Sequence, residues 1–241
     1  MKNKYLFLVL LAALLPLAVT GRSAELNNPA DSALPVYRCK DFKVTGDGSN
    51  AAWNAVAWIT MKQRGSRSAY KAQFKIMYSD SGIYCLYLSE DSKITATMKE
   101  DFMDIYKEDV VEVFFWTDET VPVYFEYELS PLNVELPIMV PNYNGLFFGW
   151  RPWHYEGNRL TRHAAGIQTD PGTQKVVSWT AEFFIPYTLL KPIIKSPPRQ
   201  GTRWRANFYR IDYDSGQAGW SWMPVKTNFH DYPRFGTILF Q

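Results

Sequence analysis

A carboxylate interrupts an apolar run at residues 109–116, whose sequence is DVVEVFFW. Successive side chains of a β-strand point to opposite faces, so Glu112 would share one face with Phe114 and Trp116. A carboxylate on such a face is costly unless it is hydrogen-bonded or paired with a charge. The run therefore predicts a strand that carries a polar site on an aromatic face.

The next stretch supplies a second carboxylate. Residues 123–130, VYFEYELS, alternate in the same way, and a hairpin centred near residue 119 would place Glu126 opposite Glu112. Like charges directly across a strand pair are destabilising, so an arginine, a bound cation or a ligand with several hydroxyls should compensate them. Arg210, in RWRANFYRID, is one candidate. A solvated face with scattered salt bridges is the commoner environment for such a pair.

Carboxylates and arginines beside aromatic planes suit a sugar. The apolar face of a pyranose packs on a ring, and its hydroxyls need acceptors and planar donors. Tyr106 lies just before the Glu112 strand, and Trp150 and Trp153 lie in an irregular aromatic segment that can reach the surface. The chemistry is compatible with sugar binding without requiring it.

The composition excludes some classes of partner. The chain has 241 residues, a net charge of +2 and 21% charged residues, which gives no electrostatic case for nucleic acid. Its aromatic content of 16% is high, and aromatic side chains suit both half-buried strands and stacking sites. No spacing of histidine or cysteine predicts a metal site. Cys39 and Cys85 could form a disulfide or be two buried thiols, and the sequence does not decide between them.

The N-terminus has the form of a cleavable signal peptide. Lys2 and Lys4 precede an apolar run at 5–19, followed by small and polar residues. The run is shorter than the roughly 20 residues of a membrane helix. We expect a signal peptide at 1–22, a leader at 23–36 and one domain at 37–241, with a secreted or periplasmic location and no membrane span after cleavage.

Short strands separated by turns fill the rest of the chain. Hairpin turns are predicted at 79–82 and 117–120, and residues 131–165, which contain four prolines, are predicted to be irregular. Many short strands at this spacing predict an all-β fold, a single antiparallel β-sandwich of jelly-roll or immunoglobulin-like form with short helical turns.

An ordered set of motifs resembles the family 9 carbohydrate-binding modules, which belong to the DOMON-like sandwich superfamily. The motifs span about residue 47 to 241 and include GDGSNAAWNAVAW, YKEDVVEVFFWTDE, WTAEFFIPYTLL and RANFYRID. The closing stretch SWMPVKTNFHDYPRFGTILF is also similar to the end of the family pattern. Each motif alone is weak, but their order and spacing together are fairly specific.

The resemblance implies a β-sandwich, often with structural calcium, that binds glycan chain ends between two aromatic rings. Tyr106 and Phe229 match the ring positions, where the best-known members have tryptophan. Glu112 matches a sugar-binding glutamate. Glu126 stands where the family has a sugar-binding arginine, a departure that could change the ligand or favour a cation. No organic cofactor is implied.

The function expected from this resemblance is non-catalytic carbohydrate binding that supports breakdown of a polysaccharide such as xylan. Oligosaccharide or polysaccharide chain ends would be the ligand, and a separate glycoside hydrolase a partner. Two alternatives remain. One is a haem-binding DOMON-like redox domain, which needs paired axial ligands. The other is xylanase-like hydrolysis, which needs two carboxylates of split pKa.

Overall fold

The computed structural model describes residues 33–65, 68–191, 193–214 and 216–241. The predicted signal peptide and residues 23–32 of the predicted leader lie outside these residues. Within the described part of the chain, no helix combines the length and the apolar character needed to cross a bilayer.

The described residues are almost entirely β-structure, as predicted, with only single turns of 3-10 helix. The helical turns are Ala51–Ala55, Ile105–Lys107, Gly157–Arg159 and Tyr232–Arg234. The strands are β1 (Leu34–Arg38), β2 (Ile59–Thr60), β3 (Lys62–Arg64), β4 (Ala72–Tyr78), β5 (Gly82–Glu90), β6 (Val110–Trp116), β7 (Val123–Leu129), β8 (Glu135–Tyr143), β9 (Leu146–Phe147), β10 (Arg151–Pro152), β11 (Arg162–Thr169), β12 (Val176–Pro186), β13 (Arg203–Asp212), β14 (Ala218–Ser221) and β15 (Gly236–Phe240).

The strands form two layers. In the front sheet the order is β10-β8-β7-β6-β13-β15, and β14 also pairs with β13. In the back sheet the order is β4-β5-β12-β11. β1 joins the two, because its first half runs parallel to β15 and its second half runs parallel to β4. All other pairings between these strands are antiparallel.

Aromatic side chains fill the space between the layers. Phe208 of the front sheet stacks on Phe74 of the back sheet, with ring centroids 3.9 Å apart. Tyr127 of β7 meets Phe183 of β12 at 4.6 Å. These rings are fully buried, and burial of their apolar area is the main force that holds the sheets together. The predicted β-sandwich is confirmed.

The hairpin prediction was correct at one turn and wrong in register at the other. β4 and β5 meet at residues 79–81, as predicted. The loop between β6 and β7 spans 117–122, longer than the predicted turn. Glu112 therefore lies opposite Glu128, and Glu126 lies opposite Phe114. The expected pairing of Glu112 with Glu126 was wrong because the turn is centred one residue further along the chain.

β8 was not predicted, because its two prolines suggested an irregular segment. The carbonyls of Pro137 and Pro141 accept hydrogen bonds from the backbone nitrogens of Trp153 and Phe148, on the side away from β7. In an extended strand the N–H of a residue points to the same side as its carbonyl. The missing donors therefore remove no hydrogen bond to β7, and proline is tolerated here as it is at sheet edges. β11, with its exposed edge positions, was also missed.

The structure shows where the first strand begins and that the two cysteines do not pair. β1 begins at Leu34, inside the predicted leader, and ends at Arg38. Both cysteines are free. Cys85 lies in the core between the sheets, whereas Cys39 packs against a cluster on the other face of the back sheet. They are two thiols in separate environments.

We expect Phe208→Ala to lower the free energy of unfolding by about 3–5 kcal/mol, because it removes a ring that joins the two layers and leaves a cavity. Chemical denaturation monitored by tryptophan fluorescence would measure the change. Val177→Ala, at a residue 46% exposed on β12, is the control and should change stability by less than about 0.5 kcal/mol. Equal effects of the two substitutions would contradict the assigned core.

Candidate functional site

A groove of about 1270 Å³ lies over the outer face of the front sheet. We call it the front-sheet groove. Three carboxyl groups line it, one from β6 and two from β7: Glu112, Glu126 and Glu128. Period-two alternation places them there, because the residues between them, such as Val113 and Tyr127, point into the core.

The three carboxyl groups are almost completely removed from solvent. Glu112 is 2% exposed, Glu126 3% and Glu128 1%. Burial raises the pKa of Glu112 to about 8. Burial also raises the pKa of Glu126 and of Glu128 well above the usual range, and the neighbouring carboxylates raise both further. All three groups therefore favour the protonated form near neutral pH.

Glu126 and Glu128 lie close enough to share a hydrogen bond when one of them is protonated, and each still has unused hydrogen-bonding capacity. Glu126 Oε2 and Glu128 Oε2 are buried and have no hydrogen-bond partner among the described residues. His230 Nδ1 is 3.7 Å from Glu126 Oε2, but it is only 2.6 Å from the hydroxyl of Tyr124. Burial lowers the pKa of His230 to about 4, so its ring is neutral. Buried polar atoms without partners are uncommon, and here they face a groove.

Aromatic rings surround the carboxyls. Tyr106, in the 3-10 turn before β6, lies edge-on to Trp150 with centroids 6.2 Å apart. The Tyr213 hydroxyl donates to the carbonyl of Tyr106 at 2.9 Å and holds that turn in place. Phe229 stacks on Tyr209 at 4.1 Å. All the named rings except Tyr209 line the groove, which therefore combines hydrogen-bonding groups with stacking surfaces.

Residues 44–136 match the model of the carbohydrate family 9 binding domain-like family. This confirms, over that segment, the resemblance seen in the sequence motifs. The family 9-like segment contains Tyr106 and all three glutamates, whereas Trp150 and Phe229 lie beyond it. No curated protein gives a significant match.

Solved structures show the same fold across most of the chain. A protein from Bacteroides uniformis, proposed to bind carbohydrate, aligns with a TM-score of 0.72 at 17% identity, covering 87% of this chain and 99% of that one. A family 9 carbohydrate-binding module from Caldicellulosiruptor kristjanssonii, solved with cellotriose, aligns with a TM-score of 0.62 at 17% identity, covering 87% and 94%. Its glucose complex aligns at 0.59 with 16% identity, covering 86% and 95%.

Five of the seven residues predicted from the sequence line the front-sheet groove: Tyr106, Glu112, Glu126, Trp150 and Phe229. Trp153 does not line it; its indole nitrogen donates to the Leu189 carbonyl at 2.9 Å, and its ring packs against the core.

Arg210 does not compensate the glutamates, contrary to expectation. It lies opposite Val111, so its side chain projects from the face of β13 opposite to the one beside Glu112. Its Nη2 donates to Asp91 at 3.0 Å and to Asp212 at 2.9 Å, in full burial.

Several groove residues were missed by sequence reasoning. The alternation of YFEYEL puts Glu128 on the same face as Glu126, so a stricter use of that pattern would have included it. Phe147, Tyr213 and His230 come from β9 and from loops, where no periodicity indicates which way a side chain points. Only the folded chain brings these three to the glutamates.

The structural calcium implied by the family can be tested against one cluster. Among the described residues, the only acidic trio with oxygens within 4.8 Å of one another is Asp91, Asp212 and Asp214. Arg210 already supplies the positive charge to two of them, and Asp214 accepts from the Tyr70 hydroxyl at 3.0 Å. Calcium needs six or more free oxygen ligands, so this donor set does not fit the ion.

We expect Arg210→Met to lower the free energy of unfolding by about 3–5 kcal/mol at pH 7.5, because Asp91 and Asp212 would remain buried without their cation. Urea denaturation would measure the loss. The control is Arg38→Met, which breaks the exposed ion pair with Asp80 and should cost less than about 1 kcal/mol. Full stability of Arg210→Met would refute the assigned role of the arginine.

The buried glutamates also predict how stability depends on pH. In the unfolded chain Glu112 titrates near its ordinary value of 4.5, whereas in the fold it keeps its proton up to about pH 8. Across this window only the unfolded state releases the proton. The contribution of each such carboxyl to stability is therefore greatest at acid pH and falls as the pH rises through this window, by about 1.4 kcal/mol per pH unit.

Glu112→Gln should reduce the fall of the free energy of unfolding with pH by about 1.4 kcal/mol per pH unit, because the amide has no proton to release. Urea denaturation at intervals from pH 4.5 to 8 would show it. Glu119→Gln, at a solvent-exposed side chain, should leave the slope unchanged. Parallel curves for wild type and Glu112→Gln would show that Glu112 is ionised in the folded protein.

Proposed function

We propose that this protein is a non-catalytic carbohydrate-binding protein that holds a glycan in the front-sheet groove. The observation that carries the proposal is the presence of three buried carboxyl groups in an aromatic-lined groove, two of them with an unpaired oxygen. Keeping such groups buried costs free energy. A ligand with several hydroxyls would recover part of that cost by completing their hydrogen bonds.

The groove offers both interactions that a sugar needs. Tyr106, Trp150 and Phe229 present partly exposed rings on which the apolar face of a pyranose can pack. A protonated carboxyl both donates and accepts, so Glu112 and Glu128 can bond to hydroxyls in either sense. The three buried carboxyls at the base of the groove fix the orientation, and the rings supply contact area.

The solved relatives guide the choice of ligand. Two of the similar structures hold cellotriose and glucose, and residues 44–136 match a carbohydrate-binding family. β-linked glucans and xylans are therefore the first ligands to try. An exported protein that assists a separate glycoside hydrolase in polysaccharide breakdown accords with the signal-like N-terminus, and we include that role in the proposal.

The two alternative functions lack support in the described residues. Glycoside hydrolysis needs an ionised carboxylate beside a protonated acid, whereas burial raises the pKa of all three groove glutamates. Haem needs axial ligands such as histidine, and His163 has both ring nitrogens engaged. Its Nδ1 is 2.9 Å from Asn133 Oδ1, and its Nε2 is 3.5 Å from Glu135.

The test is calorimetric titration with cello-, xylo- and galacto-oligosaccharides, each with free and with chemically reduced ends. We expect at least one series to bind, and Tyr106→Ala to weaken it about tenfold or more, equivalent to about 1.4 kcal/mol of lost stacking. Tyr143→Ala is the matched control, because that ring is 64% exposed and does not line the groove.

Loss of binding on end reduction would assign the groove to chain ends. Equal affinity of Tyr106→Ala and Tyr143→Ala would place the sugar elsewhere on the molecule. Absence of heat with every glycan, from protein shown by circular dichroism to be folded, would overturn the function.

A further inference from the structure

We propose that the front-sheet groove selects a glycan that carries free amino groups, namely a β-linked chain of glucosamine units. This inference rests on the proposed function and narrows its ligand. It starts from the acidic lining of the groove. Three buried carboxyls lie there on adjacent strands, and none of the described lysine or arginine side chains that line the groove is buried beside them.

Two of the three lysine and arginine side chains that line the groove have partners away from the glutamates, and the third, Lys62, is exposed. Lys107 Nζ donates to Asp104 at 2.6 Å and lies 5.6 Å from the Tyr106 ring centroid. Arg64 donates to the backbone carbonyl of Thr227 at 2.8 Å. His230 is neutral, and no ion pair among the described residues links Lys62 to a carboxylate. None of these cations donates to the unpaired oxygens of Glu126 and Glu128, which are therefore able to accept a hydrogen bond from a ligand.

An ammonium group satisfies these oxygens better than a hydroxyl does. It brings three N–H donors and a full positive charge, and hydrogen bonds between ionised partners are about twice as strong as neutral ones. The faces of Tyr106 and Trp150 also attract a cation through the ring quadrupole. A quaternary ammonium would gain the ring interaction only, since it has no N–H to donate.

A bare metal ion fits the groove less well. The three glutamates do not form a trio with oxygens within 4.8 Å, a condition that only Asp91, Asp212 and Asp214 meet among the described residues. The groove, at about 1270 Å³, is also far larger than an ion. A pyranose ring that bears an ammonium group can place the ammonium against the carboxyls while the ring itself packs in the aromatic part of the groove.

Binding of this ligand should release protons. The carboxyls favour the protonated form in the free protein. An ammonium placed against them favours the carboxylate, so each carboxyl that ionises gives its proton to the solvent while the ligand keeps its own. A neutral sugar gives the carboxyls no reason to ionise and should release none.

Three trisaccharides with the same β-1,4 linkage separate the ligand classes: the trimers of glucosamine, of N-acetylglucosamine and of glucose. They differ at C2 alone, which carries an ammonium, an acetamide or a hydroxyl. At pH 6 we expect the glucosamine trimer to bind at least tenfold more tightly than the other two. Calorimetry in two buffers of different ionisation enthalpy should detect proton release with glucosamine only.

Two substitutions test whether the glutamates set this preference. Glu128→Gln keeps the shape of the site and replaces the carboxyl by an amide, which still bonds to hydroxyls but cannot become an anion. It should therefore weaken the glucosamine trimer about tenfold more than it weakens the glucose trimer. Glu119→Gln makes the same replacement at an exposed side chain that does not line the groove, and should have no effect. Equal losses in both variants would mean unspecific attraction of a polycation and would overturn the inference.

The outcomes also separate this inference from the proposed function. Equal or tighter binding of the glucose trimer, sensitive to Tyr106→Ala, would overturn amino-sugar selection and leave carbohydrate binding intact. Binding of none of the three, nor of any oligosaccharide in the broader titration, would overturn both.

Discussion

The structure of the groove depends on the register of β6 between β7 and β13. Val111, Val113 and Phe115 point into the core from β6, and this fixes Glu112 and Phe114 on the outer face. A slip by one residue would exchange every inward side chain for an outward one. The core side chains therefore hold the carboxyls in place from the opposite face of the sheet.

Buried acidic groups lie on both faces of β13, but only those on the inner face are paired with a cation of the chain. On the inner side, Asp91 and Asp212 share the guanidinium of Arg210, so charge is balanced within the chain. On the outer side, Glu112, Glu126 and Glu128 have no buried arginine beside them. They remain protonated because burial disfavours their charge. The first arrangement is complete by itself. The second leaves one oxygen each of Glu126 and Glu128 without a hydrogen-bond partner among the described residues, and this difference is the basis for the proposed ligand.

Sequence patterns were sufficient where local periodicity determines structure. The alternation in DVVEVFFW and VYFEYELS predicted the two site strands and the face of each side chain, because strand geometry alone decides this. Sequence patterns gave wrong predictions where contacts between distant parts of the chain determine the structure. The length of the 117–122 loop set the register, the neighbours of β8 made its prolines acceptable, and packing turned Arg210 towards Asp91. None of these follows from the residues near them in sequence.

The prolines of β8 have an effect on self-association. The far side of this strand, which pairs only with the two-residue strands β9 and β10, lacks amide donors at Pro137 and Pro141. Another chain could not add a regular strand there, since an added strand needs those donors. The adjoining hairpin exposes Tyr143, Leu146 and Phe148 to solvent. The protein can thus expose aromatic side chains next to its groove while the β8 edge beside them does not favour pairing with the strand of another chain.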